Sequence, residues 1–194
     1  MNGGIRLGFA ICGSFCTFKR VIPVIERLVC DGFDVYPIMS FTAYNTDTRF
    51  GAAEDFIAQI ESITGKKIIH SIRDAEPIGP KKMLDIIVVA PCTGNTLAKL
   101  SLGIADTPVT LAVKAHLRNN RPVVIAVSTN DALSGNAKSI GALMNMKNIS
   151  FVPFVQDDSE EKPSSLVAVM EKIPETVVSA LSGKQIQPLL DNDT

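Results

Sequence analysis

Apolar and polar positions alternate along this chain in two rhythms. Short, mostly apolar runs occur at residues 5–12, 33–39, 85–90, 123–127 and 149–154, with a shorter one at 67–70. Bounded by Gly, Pro, Asp and Asn, such runs read as strands buried on both faces, the pattern of a parallel sheet. The segments between them follow the helical period. Over residues 17–31, Phe18, Val21, Ile22, Ile25, Leu28 and Val29 share one face, and Gly32 follows as a C-cap. Residues 49–64 turn Ala53, Ile57 and Ile60 inward, and Gly65 ends that helix. Further helices are predicted over 95–102, 108–119 and 132–146. Strands alternating with helices predict an α/β fold: a Rossmann-like, three-layer sandwich around a doubly wound parallel sheet of about six strands, with right-handed crossovers.

One shift in composition stands out. Residues 156–165 are charged and contain Pro163, which reads as a linker. A last helix is predicted over 166–181, limited or bent by Pro174, and residues 185–194 read as a loose tail. The domain organisation predicted is therefore a main domain over 1–155, with the linker, helix and tail of 156–194 packed on the same domain.

Length and composition refine this only a little. With 194 residues, 46% apolar and 20% charged, the chain suits one globular domain with a sizeable core. A net charge of −1 points away from nucleic acid or an anionic membrane surface as the main partner. The first apolar run is broken by Gly13 and lacks a small-residue cleavage site, so it predicts a strand in a cytoplasmic protein rather than a signal peptide or a span. Cys12, Cys16, Cys30 and Cys92 form no C-x-x-C or zinc pattern, so no metal is expected. They read as small buried residues of a reducing cytosol, with Cys92 the one that falls in a candidate ligand loop.

The candidate chemistry lies where the apolar runs end. In an open α/β sheet, ligands bind outside the carboxyl ends of the strands. The first such turn contains Gly13 and Ser14, the second Ser40 and Thr42, the third Thr93, Gly94, Asn95 and Thr96, and the fourth Ser128, Thr129, Asn130 and Asp131. Gly13 permits close backbone approach, and hydroxyls at helix starts can hold a phosphate. Helix capping is the structural alternative for Ser14, Thr17, Asp106 and Asp131. The first turn is neither G-x-G-x-x-G nor a Walker loop. Met39-Ser40 stand where a dinucleotide site would place its ribose-binding acid, which favours a mononucleotide such as FMN over NAD.

The run Pro91-Cys-Thr-Gly-Asn95-Thr96-Leu-Ala-Lys99, continued by Gly103 and Asp106, resembles the Pro-x-x-x-Asn-Thr-x-x-Lys-x-x-x-Gly-x-x-Asp segment of the FMN-binding flavoprotein family. That family includes flavin-containing cysteine decarboxylases and flavin prenyltransferases. The resemblance covers about residues 5–155. It implies that FMN is bound by Gly13, Ser14, Ser40, Thr42, Thr93, Asn95, Thr96 and Asn130. Asn95 and Asp131 are its catalytic candidates. Asn130 stands in the family's Pro-x-Met-Asn motif, here with Ser128-Thr129 before it.

Two departures narrow the activity. The decarboxylases' His would fall near Pro77-Ile78, whereas the only histidines are His70 and His116. His116 reads as a solvated or satisfied side chain. The decarboxylases' substrate clamp in the C-terminal third is also missing; residues 156–162 are acidic instead. The wording of residues 8–18, 91–100 and 127–138 is nearest to the flavoprotein-like subunit of a two-subunit oxidoreductase of sporulating bacteria. That enzyme aromatises a dihydropyridine dicarboxylate in the mother-cell cytoplasm. This implies a partner subunit that carries the nicotinamide-binding domain, and a trimer-based homo-oligomer to which Leu111, Leu117 and Leu143 would contribute apolar surface. Either the flavin accepts a hydride here, or the chain is a non-redox accessory subunit; a decarboxylase or prenyltransferase is the third reading.

Overall fold

The computed structural model describes residues 4–191. Its first half follows the predicted alternation. Strand β1 (Arg6–Ile11) leads through a short 3-10 turn into α1 (Phe18–Cys30), and β2 (Asp34–Met39) into α2 (Phe41–Asn45), then α3 (Ala53–Thr64) and α4 (Ile72–Ala75). Strand β3 (Ile86–Cys92) precedes α5 (Gly94–Ser101) and α6 (Pro108–Arg118). Strand β4 (Val123–Thr129) precedes α7 (Ala137–Met144) and β5 (Ile149–Phe151). The chain closes with β6 (Phe154–Asp158), β7 (Lys162–Ala168) and α8 (Ile173–Leu181).

The sheet runs β2-β1-β3-β4 in parallel, and the far side of β4 is shared. Its first half pairs parallel with β5, and Ser128 and Thr129 at its end pair antiparallel with β7. The predicted strand at 67–70 shrinks to a single parallel bridge, Ile38 to Ile69, on the outer edge of β2. Ile69 N–H donates to Pro37 O, and Met39 N–H to Ile69 O, both at 2.9 Å. The next rung would need an N–H from Pro37, which has none. Counting that bridge as a vestigial third strand gives the Rossmann-like order expected.

Each face of the sheet buries one layer of helices, because alternate strand residues point to opposite sides. Leu7, Phe9, Ile11, Val88 and Val124 meet α1, α3 and α8 through Val21, Ile25, Phe56, Ile60 and Val177. Ala10, Ile87, Val89 and Ile125 meet α5, α6 and α7 through Leu97, Val113, Ile140 and Leu143. Leu143 is therefore fully buried, and Leu111 and Leu117 are half-buried against this core. The apolar interface surface expected at Leu143 is corrected: that side chain is needed inside.

The C-terminal third departs most from expectation. Residues 156–165 are not a linker but most of an antiparallel hairpin, β6 with β7, closed by Asp158 Oδ1 accepting from the N–H of Glu160 (3.1 Å) and Glu161 (2.9 Å). The predicted 166–181 helix begins only at Ile173, and Pro174 opens it, where a missing N–H costs nothing, rather than bending it. Of the tail expected over 185–194, residues 192–194 lie outside the described residues. The rest is held: the Gln185 side chain bonds Phe151 N–H at 2.8 Å and Phe151 O at 2.7 Å, and Leu189 and Asp191 bond the backbone of Phe154. No helix among the described residues is long and apolar enough to cross a membrane.

His116 is not solvated. It is 1% exposed on α6, and its Nε2 has no hydrogen-bond partner among the described residues. Burial, helped by the Arg121 charge, lowers its pKa to about 4, against weaker opposing effects of the Pro122 backbone and Asp85. Because the folded value lies below the unfolded one of about 6.5, the unfolded chain takes up the proton first as pH falls. Stability from this site is whole above about pH 6.5 and is lost on descending to about 4, in total on the order of 3 kcal/mol. His116→Phe should flatten this part of the unfolding free energy measured against pH by denaturant titration. An unchanged slope between those values would rule out His116 as its source. The Asp85 carboxyl, held below its usual range mainly by hydrogen bonding to Arg6, adds its own loss only at lower pH.

Candidate functional site

Four parallel strands bring four loops to one edge. After Ile11 the chain turns through Cys12, Gly13 and Ser14 into α1. Ser40 N-caps α2, its Oγ accepting from Ala43 N–H at 3.2 Å. Thr93 stands at the N-cap of α5 with extended backbone and no side-chain cap bond. Asn130 and Asp131 follow β4. A Cβ on Gly13 would lie 3.2 Å from Thr42 Cγ2, so the first two loops already touch.

Between the loops are two adjoining cavities that share Gly13 and Thr93 as a common wall. The smaller, about 320 Å³, is also lined by Ser40, Thr42, Asn95, Thr96, Lys99 and Thr107. Hydroxyls dominate this wall, and no carboxylate belongs to it. The larger, about 710 Å³, takes Ser14, Ser128, Thr129 and Asn130 from the loops, and the aromatic Phe15 and Phe50. Both volumes suit small-molecule sites, which run about 300–1,000 Å³. The structure thus brings all eight sequence-derived candidates to one place, divided between two compartments.

Their environments differ. Ser14 Oγ lies 2.9 Å from Ser128 Oγ, a contact across 114 positions of sequence. Thr96 is turned inward: its hydroxyl donates to Cys12 Sγ at 3.2 Å and lies 3.3 Å from Thr93 Oγ1. Asn95 is exposed at the mouth of the smaller cavity. Asp131 lines neither cavity. Its Oδ1 accepts from Thr129 Oγ1 at 2.6 Å and its Oδ2 from Asn136 Nδ2 at 2.7 Å. It locks the loop after β4 and does not cap α7, whose N-cap is Asn136. Asp106 is no cap either; Thr107 and Thr110 form the capping box of α6, and both Asp106 oxygens accept from Lys99 Nζ at 2.9 Å.

Cys16 and Cys30, expected to be buried, are exposed, and Cys16 lines the larger cavity; the two buried thiols, Cys12 and Cys92, are inert. Burial pushes the Cys12 thiol up to about 11 and the Cys92 thiol well above its ordinary value. Neither supplies a thiolate nucleophile near neutral pH. His70 stacks on Tyr44 at 3.9 Å between ring centroids, its Nδ1 3.1 Å from Ile68 O, and it lines neither cavity. Position 78, where a decarboxylase His would fall, is a buried Ile.

Several lining residues carry no local sequence signal. Arg20 lies inside α1, Arg49 and Phe50 belong to the loop before α3, and Asp157, Lys162, Ser165, Leu166 and Val167 come from the hairpin. Among the described residues, no cluster of His, Cys, Asp and Glu could hold a metal ion.

Known proteins share this fold. The B subunit of dipicolinate synthase from Bacillus subtilis (strain 168) is 49% identical over 187 residues, 96% of this chain and 94% of its own. The crystal structure of the corresponding dipicolinate synthase chain from Bacillus halodurans C superposes with a TM-score of 0.91 at 47% identity, covering 100% of both chains. The FMN-dependent cysteine decarboxylase SpaF shares the fold, with a TM-score of 0.65 at 24% identity over 92% of this chain and 98% of its own. The Flavoprotein family model matches residues 1–182, from the first loop of the site through the hairpin and α8, and the chain belongs to the Flavoprotein family.

Proposed function

We propose that this chain is the FMN-holding component of a dipicolinate synthase, working beside the enzyme's A subunit, which carries the nicotinamide. The observation that carries the reading is the smaller cavity. Its hydroxyl-rich wall and lack of a lining carboxylate, beside the N-terminus of α5, fit a phosphate monoester; Lys99 in the same wall is already paired with Asp106. Ser40, Thr42, Thr93 and Asn95, with the first N–H groups of α5, would hold that phosphate. Gly13 leaves room for the chain of the ligand to pass between the compartments, and Ser14, Asn130 and the apolar side chains of the larger cavity would face its ring. FMN bound there supplies a two-electron acceptor for a dihydropyridine whose aromatisation drives the reaction.

The chain's own residues position and desolvate. Leu166, Val167, Phe15 and Phe50 give a planar substrate an apolar surface. Asp131, with both oxygens engaged and no place in either wall, is assigned to positioning the loop. The ring proton therefore passes to water or to a group of the nicotinamide-carrying partner. NAD(P) enters only through that partner, since Met39-Ser40 close the second strand without a ribose-binding acid. A trimer-based homo-oligomer belongs to this reading, with the exposed Leu102 and Leu133 as available apolar surface.

Dipicolinate formation should be assayed with this chain alone, its partner alone, and both. Strong activity is expected only in the mixture. Asn95→Ala should lower that activity by about tenfold or more, as for a lost hydrogen bond to a charged group. Full activity from the partner alone would overturn the assignment, as would turnover of a cysteine substrate by this chain.

A further inference from the structure

The two compartments differ in charge. The smaller offers hydroxyls, helix N–H groups and one lysine already paired with Asp106, enough for the single anionic end of FMN. The larger is lined by three cations, Arg20, Arg49 and Lys162, and one carboxylate, Asp157. A flavin ring has no second anion to place among them. We propose that this cationic wall is the recognition site for a planar aromatic dicarboxylate, and that Arg49 is the residue that selects two carboxylates over one. The proposal rests on the substrate class read above and adds the residues that recognise it.

The pairing of the three cations singles out Arg49. Arg20 is held by Glu171, at 2.9 Å from Nη2 and 3.3 Å from Nε. Lys162 Nζ donates to Asp157 at 2.9 Å across the hairpin. Arg49 makes no ion pair among the described residues; its guanidinium lies 4.9 Å from the centroid of the Phe50 ring. It is the one cation of the wall whose charge is not already met by a carboxylate.

Its loop is built to present it. Thr48 and Gly51 exchange backbone hydrogen bonds at 3.1 and 3.0 Å, which puts Arg49 and Phe50 at the tip of a tight turn. Thr48 Oγ1 accepts from Phe50 N–H at 3.2 Å, and Asp47 Oδ1 from Ala53 N–H at 2.8 Å. Gly51 sits at φ +149, with the Phe56 ring 2.9 Å from where a Cβ would be, so this position requires glycine. The tip thus offers a planar fork that matches a carboxylate and an aromatic face that matches a pyridine ring. Arg20 and Lys162 come from other elements and each keeps N–H donors that its own carboxylate does not use, so a second carboxylate on the same ring meets a separate, weaker anchor. A monocarboxylate can use either anchor but never both.

The test is calorimetric titration of the full chain, with FMN present, using dipicolinate and picolinate as probes at one ionic strength. Wild type should bind dipicolinate more tightly than picolinate. Arg49→Gln should reduce that preference by about tenfold or more, the loss typical of a charge-assisted hydrogen bond. Lys19→Gln, an exposed cation outside the cavity, should leave it unchanged. An unaltered preference in Arg49→Gln, or no dipicolinate binding by wild type, would overturn the proposal. FMN binding is read on the same samples. If Arg49→Gln loses FMN as well, Arg49 is a phosphate ligand and the proposal fails. If wild type binds dipicolinate with an intact Arg49 effect but no FMN, the carboxylate site stands and the flavin reading falls.

Discussion

Gly94→Ala is expected to lower both thermal stability and flavin retention. A Cβ at this position would lie 2.5 Å from Asn136 Nδ2 and 2.7 Å from both Asp131 Oδ1 and Thr129 Oγ1. These atoms cannot simply swing aside. Asp131 ties Thr129 to Asn136 through bonds of 2.6 and 2.7 Å, and Asn136 is buried. Either that bridge breaks or the start of α5 moves away from β4. Overpacking of this kind costs about 1–3 kcal/mol. For a chain of this size that is a fall in Tm of roughly 3–10 °C. The same movement displaces Thr93 and Asn95 from the smaller cavity, so FMN retained after gel filtration should drop with it. Calorimetry and bound flavin that both match wild type would show that the loop after β4 does not set the position of α5.

Ser14→Asp should abolish flavin uptake while leaving Tm nearly unchanged. Ser14 is half-buried, faces Ser128 and lies next to Gly13, the shared wall of the two cavities. A phosphate dianion in the smaller cavity would lie across that shared wall from the new carboxylate, and at a separation of about 6 Å and an effective dielectric constant near 20 their repulsion costs on the order of 3–5 kcal/mol. That weakens binding by two orders of magnitude or more, by the relation of about 1.4 kcal/mol per tenfold. Ser14→Ala loses only a hydroxyl and should bind FMN within about tenfold of wild type. Normal FMN binding by Ser14→Asp would show that the phosphate does not sit near this loop. Paired with Gly94→Ala, the substitution separates electrostatic loss of the cofactor from loss through the fold.

The parallel half of the fold was legible because its signals are local. Residues 86–90 and 123–127 are apolar without interruption, which only a strand covered on both faces tolerates. Once those strands are parallel, their carboxyl ends must share an edge, and the loops carrying Gly13, Ser40, Thr93 and Asn130 converge. The hairpin was not legible. Gln156 to Lys162 is charged like a linker, yet its order comes from backbone rungs between β6 and β7 and from β4, a partner far away in sequence. Pro37 hid the weakness of the third strand, since one missing N–H on its outer side is enough to end the pairing.

The site divided along the same line. Residues at strand ends could be named from sequence, whereas Arg20, Arg49 and Lys162 reach the cavity from a helix, a turn and a hairpin. Nothing in their immediate neighbours marks them. Asp131 and Asp106 looked like helix caps because Asp before a helix commonly is one, and Asp131 also looked like a catalytic acid. Thr107 caps α6, Asn136 stands at the N-cap of α7 without a side-chain cap bond, and both acids instead hold neighbouring segments in place.

The most direct measurement of cofactor binding is an equilibrium titration of the purified full chain with FMN, followed by quenching of flavin fluorescence. Saturable binding that approaches one FMN per chain is expected without the nicotinamide-carrying partner, because every residue assigned to the phosphate belongs to this chain. Flavin fluorescence that stays unquenched, by a chain that nevertheless supports dipicolinate synthesis when mixed with that partner, would contradict the assignment.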